Sequence, residues 1–204
     1  MPTQTFFNLQ KDKQNKIIDV SKKEFSNYSF YDASINRIIK DAGIARGSFY
    51  QYFENKEDLF IYILDKYKSS MLEWILKNFK GEKYDIFELH LEIYNYVTED
   101  ASKGPDREFI ITTISNMDVK LTSHLLGFMT PEDLHKDLHH FEFLVNIDDL
   151  AIYSPSDMIN LNQILMSIMM NQIVLFFSNK VSSEKCKEDL LNKFNIIKYG
   201  VLKR

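Results

Sequence analysis

The stretch that most limits what this 204-residue chain can fold into runs from Ser34 to Lys56. Its first half places Ile35, Ile38, Ile39 and Ala42 at the i, i+3, i+4, i+7 spacing of an amphipathic helix. Ser34 precedes that set, where its hydroxyl is expected to cap the first free N–H groups. Gly43 follows it, where a left-handed residue ends a helix without a Cβ clash. A second helix from about Ala45 has room for only two turns, too few to persist alone. Phe49 and Phe53, with Ile44 and Leu59, are expected to hold it by packing. At about 100° per residue, Arg46, Gly47, Tyr50 and Gln51 share the sector opposite Phe49. Arginine and glutamine carry the paired groups that read guanine and adenine edges, and a glycine lets a partner come close. A helix, a glycine turn and a short second helix with a polar face make the helix-turn-helix layout.

The run Gly43-Ile44-Ala45-Arg46-Gly47-Ser48-Phe49-Tyr50-Gln51-Tyr52-Phe53, followed by Asn55-Lys56-Glu57-Asp58-Leu59, resembles the DNA-binding signature of TetR-family transcriptional regulators. The resemblance extends from about Lys16 to Leu64, with glycine, aromatic and lysine positions all in one register. One position departs: Ser29 stands where a glycine usually follows the first helix, and Asn27 is able to take the left-handed conformation there. The resemblance implies an all-α chain with a three-helix head over residues 1–55 and a helical ligand-binding and dimerisation body over residues 56–204. It implies a homodimer on a palindromic double-stranded DNA operator, acting as a repressor that a small molecule releases, with no enzymatic activity. No cofactor and no metal are expected. The expected DNA-binding residues are Ser34, Arg37, Arg46, Gly47, Ser48, Tyr50, Gln51, Tyr52 and Lys56. Arg46 and Gln51 are assigned to the major groove, and Ser34, Tyr50, Tyr52 and Lys56 to phosphates. Tyr52 has a competing role as packing beside Phe53. Lys56 opposes the dipole of the helix it begins, which a nearby phosphate explains.

Charge and composition fit this reading. Hydrophobic residues make up 45% and charged residues 26%, the balance of a globular chain. The net charge is −4, yet residues 1–56 hold seven lysines and two arginines against four aspartates and two glutamates, a local +3 that leaves −7 for the remainder. A basic head on an acidic body favours a localised phosphate contact. The single cysteine, Cys186, excludes an internal disulfide and points to a reducing compartment. Flanked by Lys185, Lys187 and Glu188, it reads as an incidental surface thiol. Residues 1–10 lack the basic head and apolar run of a signal peptide. The longest apolar stretch, Ile164 to Phe177, is broken by Ser167, Asn171 and Gln172, so no membrane span is expected and the chain reads as cytoplasmic.

Along the chain, residues 1–10 read as a frayed arm, with Phe6, Phe7 and Leu9 folding back on the first helix as the alternative. Lys11 to Asn27 reads as that helix, and Asn55 to about Phe79 as a rod with Leu59, Phe60, Ile63, Tyr67, Met71 and Ile75 on its buried stripe. Helices follow at Tyr84 to Ala101, Asp106 to Ser115, Ser156 to Asn179 and Ser183 to Leu202. Thr130 with Pro131 signals a further helix start between them. The candidate ligand-binding residues are Tyr67, Met71, Trp74, Tyr94, Phe109, Met166 and Met170. Their aromatic and methionine character suits an apolar or aromatic effector, with plain core and dimer interface as the alternative. The acidic surroundings also suit a lipophilic cation. A different class of reading is a helical-bundle enzyme or metal protein built on His135 and His139, which stand at i, i+4 with Glu132 nearby. The Glu-x-x-His spacing has no second copy, as a di-iron bundle requires. No Gly-rich phosphate loop and no G-x-S-x-G motif is present.

Overall fold

The computed structural model describes residues 1–78, 83–116, 144–148, 150–151 and 154–200. The regular elements among them are helical: α1 (Gln4–Phe7), α2 (Lys11–Asn27), α3 (Ile35–Ala42), α4 (Arg46–Tyr52), α5 (Lys56–Asn78), α6 (Ile86–Asn95), α7 (Arg107–Ser115), α8 (Pro155–Phe177) and α9 (Ser183–Tyr199). A π-helical turn at Tyr96–Asp100 and a 3-10 turn at Ala101–Lys103 extend α6. Among the described residues, the one pairing of strand type is an isolated parallel bridge between Tyr84 and Val145. The His135 and His139 cluster and the Thr130-Pro131 helix start lie outside the described residues.

These elements gather into two compact units. The first holds residues 1–74 and the described residues from 102 to 116; the second holds residues 75–101 and the described residues from 144 onward. In the first, α2 buries Ile17, Ser21 and Phe25, and the Ser21 hydroxyl donates to the Ile17 carbonyl at 2.6 Å, so its burial leaves no donor unmet. Phe25 meets Phe60 edge-on at 4.8 Å, and Phe60 in turn meets Phe109 of α7 at 5.9 Å. Asp106 ties that helix to α2 through Lys22 at 2.7 Å, and the Thr112 hydroxyl donates to the Ser26 carbonyl at 2.8 Å.

Residues 1–10 are not a frayed arm; Phe6 folds back, though onto Phe53 and Tyr62 and not onto the Lys11–Asn27 helix. The segment forms α1, and Phe6 is fully buried against Phe53 at 4.9 Å and Tyr62 at 5.6 Å. Apolar side chains in a terminal segment order it when a matching aromatic surface is available, and α4 and α5 supply one. The loop after α2 is also built differently from the expectation. Asn27 ends the helix, with its amide donating to the Lys23 carbonyl, and among the described residues Asn179 is the one non-glycine with positive φ. Ser29 closes the turn instead: its hydroxyl donates to Asp32 at 2.6 Å and its carbonyl accepts from the Ala33 N–H at 3.0 Å.

The second unit packs α6, α8 and α9 together. Leu165, Met166, Met169, Ile173 and Phe177 are the buried apolar side chains of α8, and Leu190 and Phe194 those of α9. On the same helix as Met166, Ile164 is half exposed and Asn171 is exposed. The helix is apolar on most sides, so periodicity alone could not say which side turns inward. By length and composition α8 could also cross a membrane; a third of that window is buried inside the fold. Cys186, expected at the surface, is fully buried, and burial pushes its thiol pKa up. Its polar neighbours in sequence point elsewhere on the helix, which a residue-by-residue hydropathy reading overlooks.

Candidate nucleic-acid interface

The first helix of the pair stops at Gly43, which takes φ 70 and ψ 38. There the Ile44 N–H reaches the Ile39 carbonyl at 3.0 Å and the Gly43 N–H reaches the Lys40 carbonyl at 3.2 Å, a Schellman closure that a side chain at Gly43 would strain. Ser34 occupies the N-cap position of α3, but its hydroxyl makes no capping hydrogen bond. Glu24 of α2 instead accepts the N–H of the capping residue itself, Ser34, at 2.7 Å. A carboxylate at the positive end of a short helix is stabilising.

The same carboxylate grips Arg37. Glu24 is buried, and its oxygens accept from the Arg37 Nε at 2.8 and 3.0 Å and pair with Nη2 at 2.6 Å. Arg37 Nη2 also donates to the Asp32 carbonyl at 3.0 Å, and the guanidinium lies 4.0 Å over the Tyr28 ring. The hydrogen bond to Glu24 raises the Arg37 pKa further. Arg37 therefore braces the α2–α3 corner.

On α4 the two aspects separate cleanly. Phe49 and Tyr52 are buried, and Phe53 just beyond is fully buried. Arg46, Gly47, Tyr50 and Gln51 are exposed, and Ser48 is half-buried. A Cβ added at Gly47 meets nothing within 4 Å, so the surface there is open to an approaching partner. The Arg46 guanidinium is positioned by Asn36 of α3, whose side-chain oxygen accepts from Nη1 at 2.9 Å, and it lies 5.9 Å from the Tyr50 ring. Tyr52 is only 5% exposed and packs towards Phe6, which places its ring in the core side of α4. The C-terminal end of α4 is held by Thr3: its N–H donates to the Tyr52 carbonyl at 2.9 Å and its hydroxyl to the Gln51 carbonyl at 2.6 Å.

Lys56 has a structural partner set that the sequence did not disclose. Its Nζ donates to the Ala33 carbonyl at 2.8 Å and the Tyr31 carbonyl at 3.1 Å, and it sits 4.9 Å over the Phe30 ring. Partial burial lowers its pKa. These contacts account for a lysine at the start of α5 without a phosphate. Two carbonyls engage two of the three ammonium donors. Asn55 accepts the Asp58 N–H at 2.9 Å as expected of a cap, while Asp58 turns back to the Glu54 N–H at 3.1 Å. Glu24, Asn36 and Thr3 were all missed by sequence reasoning. All three lie ten or more residues from their partners, beyond the reach of any local pattern.

The candidate ligand residues fall in both units. Tyr67 stacks on Phe109 at 5.3 Å in the first, where Met71 and Trp74 are half-buried. Tyr94 is buried in the second with Met166, and Met170 is half-buried there.

Comparison with known proteins fits this geometry. Residues 17–63 match the family described as bacterial regulatory proteins, tetR family, and residues 85–201 match the family described as tetracyclin repressor-like, C-terminal domain. The chain is 33% identical over 58 residues to the uncharacterized HTH-type transcriptional regulator YdgC of Bacillus subtilis, covering 28% of this chain and 30% of that protein. It is 28% identical over 71 residues to the fatty acid metabolism regulator protein of the same organism, covering 35% and 37%. These matches span about a third of the relatives' length. Among solved structures, the transcriptional regulator FadR from Bacillus subtilis in complex with stearoyl-CoA is similar in fold with a TM-score of 0.55 at 17% identity, covering 92% of this chain and 99% of that one. FadR from Bacillus halodurans gives 0.52 at 18% identity, covering 91% and 94%.

Proposed function

The chain belongs to the TetR family of transcriptional regulators, and from that premise we propose that it is a cytoplasmic repressor that binds a palindromic operator as a homodimer and leaves it when a small, largely apolar or aromatic molecule binds. The head comprises residues 1–55 and the body residues 56–204. The observation that carries the DNA-binding reading is the exposed Arg46–Gly47–Tyr50–Gln51 face of α4, open at Gly47 and backed by buried Phe49 and Phe53. Arg46, steadied by Asn36, and Gln51 read base edges in the major groove. Ser34 and Tyr50 contact phosphates, Lys56 uses its third ammonium donor for one, and Ser48 lies at the edge of this surface. Arg37 acts by fixing the corner from which α3 presents α4. Tyr52 contributes packing.

Two of the similar proteins support an effector with a long apolar part: the fatty acid metabolism regulator by its name and FadR by its stearoyl-CoA complex. Release then works through the elements that lead from body to head. Helix α5 is one, and α7, docked on α2 through Asp106 and Thr112, is the other.

Selection of duplexes from a random pool, followed by titration of the winner and its single-base variants, tests the reading. The wild type should show a two-fold symmetric preference. Arg46→Ala should relax that preference at one position by about 1–3 kcal/mol, leaving the others intact. A chain that binds all duplexes alike would overturn the proposal.

A further inference from the structure

Inside the second unit, the pairing of side chains sets the direction of each helix. Asp85 pairs with Lys198, Phe87 lies 5.7 Å from Phe194, and Glu99 lies 3.5 Å from Lys187. Helix α6 and its π-helical extension therefore run antiparallel to α9. Because α9 turns back along α8 after residues 178–182, α6 and α8 run the same way. On α6 and its π-helical extension, His90, Tyr94 and Thr98 stand at i, i+4, i+8 and all are at least 95% buried. On α8 the inward face reads Asn162, Leu165, Met166, Met169, Gln172 and Ile173, with Asn162 and Gln172 as buried as the apolar residues between them.

Thr98 is satisfied, since its hydroxyl donates to the Tyr94 carbonyl at 2.8 Å. Other polar atoms are not. The Tyr94 hydroxyl, Asn95 Oδ1, Gln172 Oε1 and His90 Nε2 are buried without a hydrogen-bond partner. His90 Nδ1 lies 2.8 Å from the Ile86 carbonyl, so it carries the proton and Nε2 is left as an acceptor. Asn162 of α8 is the side chain beside that ring, and with the Ile86 carbonyl it works against the effect of burial on the His90 pKa. Burial pushes the His90 pKa down to about 4, so the ring is neutral at cellular pH. Native cores satisfy nearly all their buried polar atoms, and four orphaned atoms within this one helical unit call for an explanation. The π-helical turn begins at Tyr96, directly after Tyr94 and Asn95, and such turns gather at functional sites.

We propose that this seam of α6 and α8 is the polar recognition element of the effector site, selecting a neutral molecule that donates a hydrogen bond from a hydroxyl or N–H on an apolar frame. It rests on the ligand-release reading above. Three of the four orphaned atoms are acceptors, so they call for donors; the Tyr94 hydroxyl serves as either. Among the described side chains of this unit, no lysine, arginine or carboxylate is buried, so nothing in the seam neutralises a charged group. Met166 and Met169, between Asn162 and Gln172, give the apolar wall a side chain that repacks around different frames.

The test uses the full-length chain and three probes that share one frame: 2-naphthol, naphthalene and 2-naphthoate, titrated by calorimetry. 2-Naphthol should bind about tenfold or more tightly than either of the others, because a site with unmet acceptors rejects an analogue that lacks the donor. Tyr94→Phe and Gln172→Met should each shrink that advantage while leaving naphthalene binding unchanged. In the ligand-free protein, Tyr94→Phe should keep or raise the melting temperature, since the hydroxyl it removes has no partner. Equal affinity for 2-naphthol and naphthalene, a preference for 2-naphthoate, or no binding of any probe would overturn the proposal. So would a lowered melting temperature in Tyr94→Phe. Selective 2-naphthol binding with unchanged operator affinity would uphold the site and overturn only the release reading.

Discussion

Lys56 sits in the first turn of α5, where its charge faces the positive end of the helix dipole, an unfavourable placement by about 0.3–1 kcal/mol. Hydrogen bonds from a charged donor contribute about 1.5–3 kcal/mol each, so donation to the Ala33 and Tyr31 carbonyls more than offsets the dipole. The lysine thus fastens the loop that precedes α3. A double role follows, and one substitution separates its parts. Lys56→Met should lower the stability of the chain by about 1–2 kcal/mol, read by urea unfolding, and should reduce the slope of log operator affinity against log salt by about one. A stability equal to that of the wild type would remove the loop-fastening role, and an unchanged slope would remove the phosphate contact. Arg37 shows the matching limit of a sequence reading. Its position on α3 was legible as basic and near the reading helix, but its partner Glu24 is thirteen residues away on α2. No local pattern announces that pairing.

At the scale of elements, α2, α3 and α4 were legible almost to the residue because their signals are local and agree, whereas α1 was not. Gly43 closes α3 by its left-handed φ, and Ile17, Ser21 and Phe25 keep one period through α2. The recognition helix was also legible, since glycine, arginine and aromatic positions fall in one register. Tyr52 was not settled by that register, because an aromatic at the end of a two-turn helix fits either face until Phe6 is seen beside it. α8 was legible in extent and illegible in orientation. It and α9 leave apolar side chains at the surface: Ile164, Val174, Leu191, Ile196 and Tyr199 are all at least 40% exposed. A stable two-fold interface buries roughly 1,200–2,000 Å² in total, and under the homodimer proposal these two helices would supply its apolar core. The double variant Ile164→Asp with Val174→Asp should therefore sediment as a monomer at micromolar concentration. Its operator affinity should fall by about 100-fold or more, since each half-site is then bound alone. A dimer that persists in this variant would show that another surface pairs the subunits.

At the scale of the whole molecule, α5 is a single helix whose residues to Trp74 cluster with the first unit and whose residues from Ile75 cluster with the second. A dimeric helix-turn-helix protein must present its two reading helices about 34–36 Å apart to enter successive major grooves. An effector that favours a different spacing by a 100-fold difference in affinity shifts the equilibrium by about 2.7 kcal/mol per site. A stiff α5 can deliver that shift only while it stays helical through its middle. Ser69 and Ser70 are exposed there, so both can be changed without disturbing the core on either side. Ser69→Gly with Ser70→Gly should lower helix stability by about 1 kcal/mol in sum, too little to unfold the chain. Operator affinity without effector and effector affinity without operator should each stay within about two- to threefold of wild type. The coupling between them, measured as the ratio of operator affinities with and without saturating effector, should fall by about tenfold or more, since a hinge absorbs the tilt. If the coupling survives intact, α5 does not carry the signal. In that case the docking of α7 on α2 becomes the route, and Thr112→Val, which removes the hydrogen bond to the Ser26 carbonyl, is the variant in which coupling should then be lost.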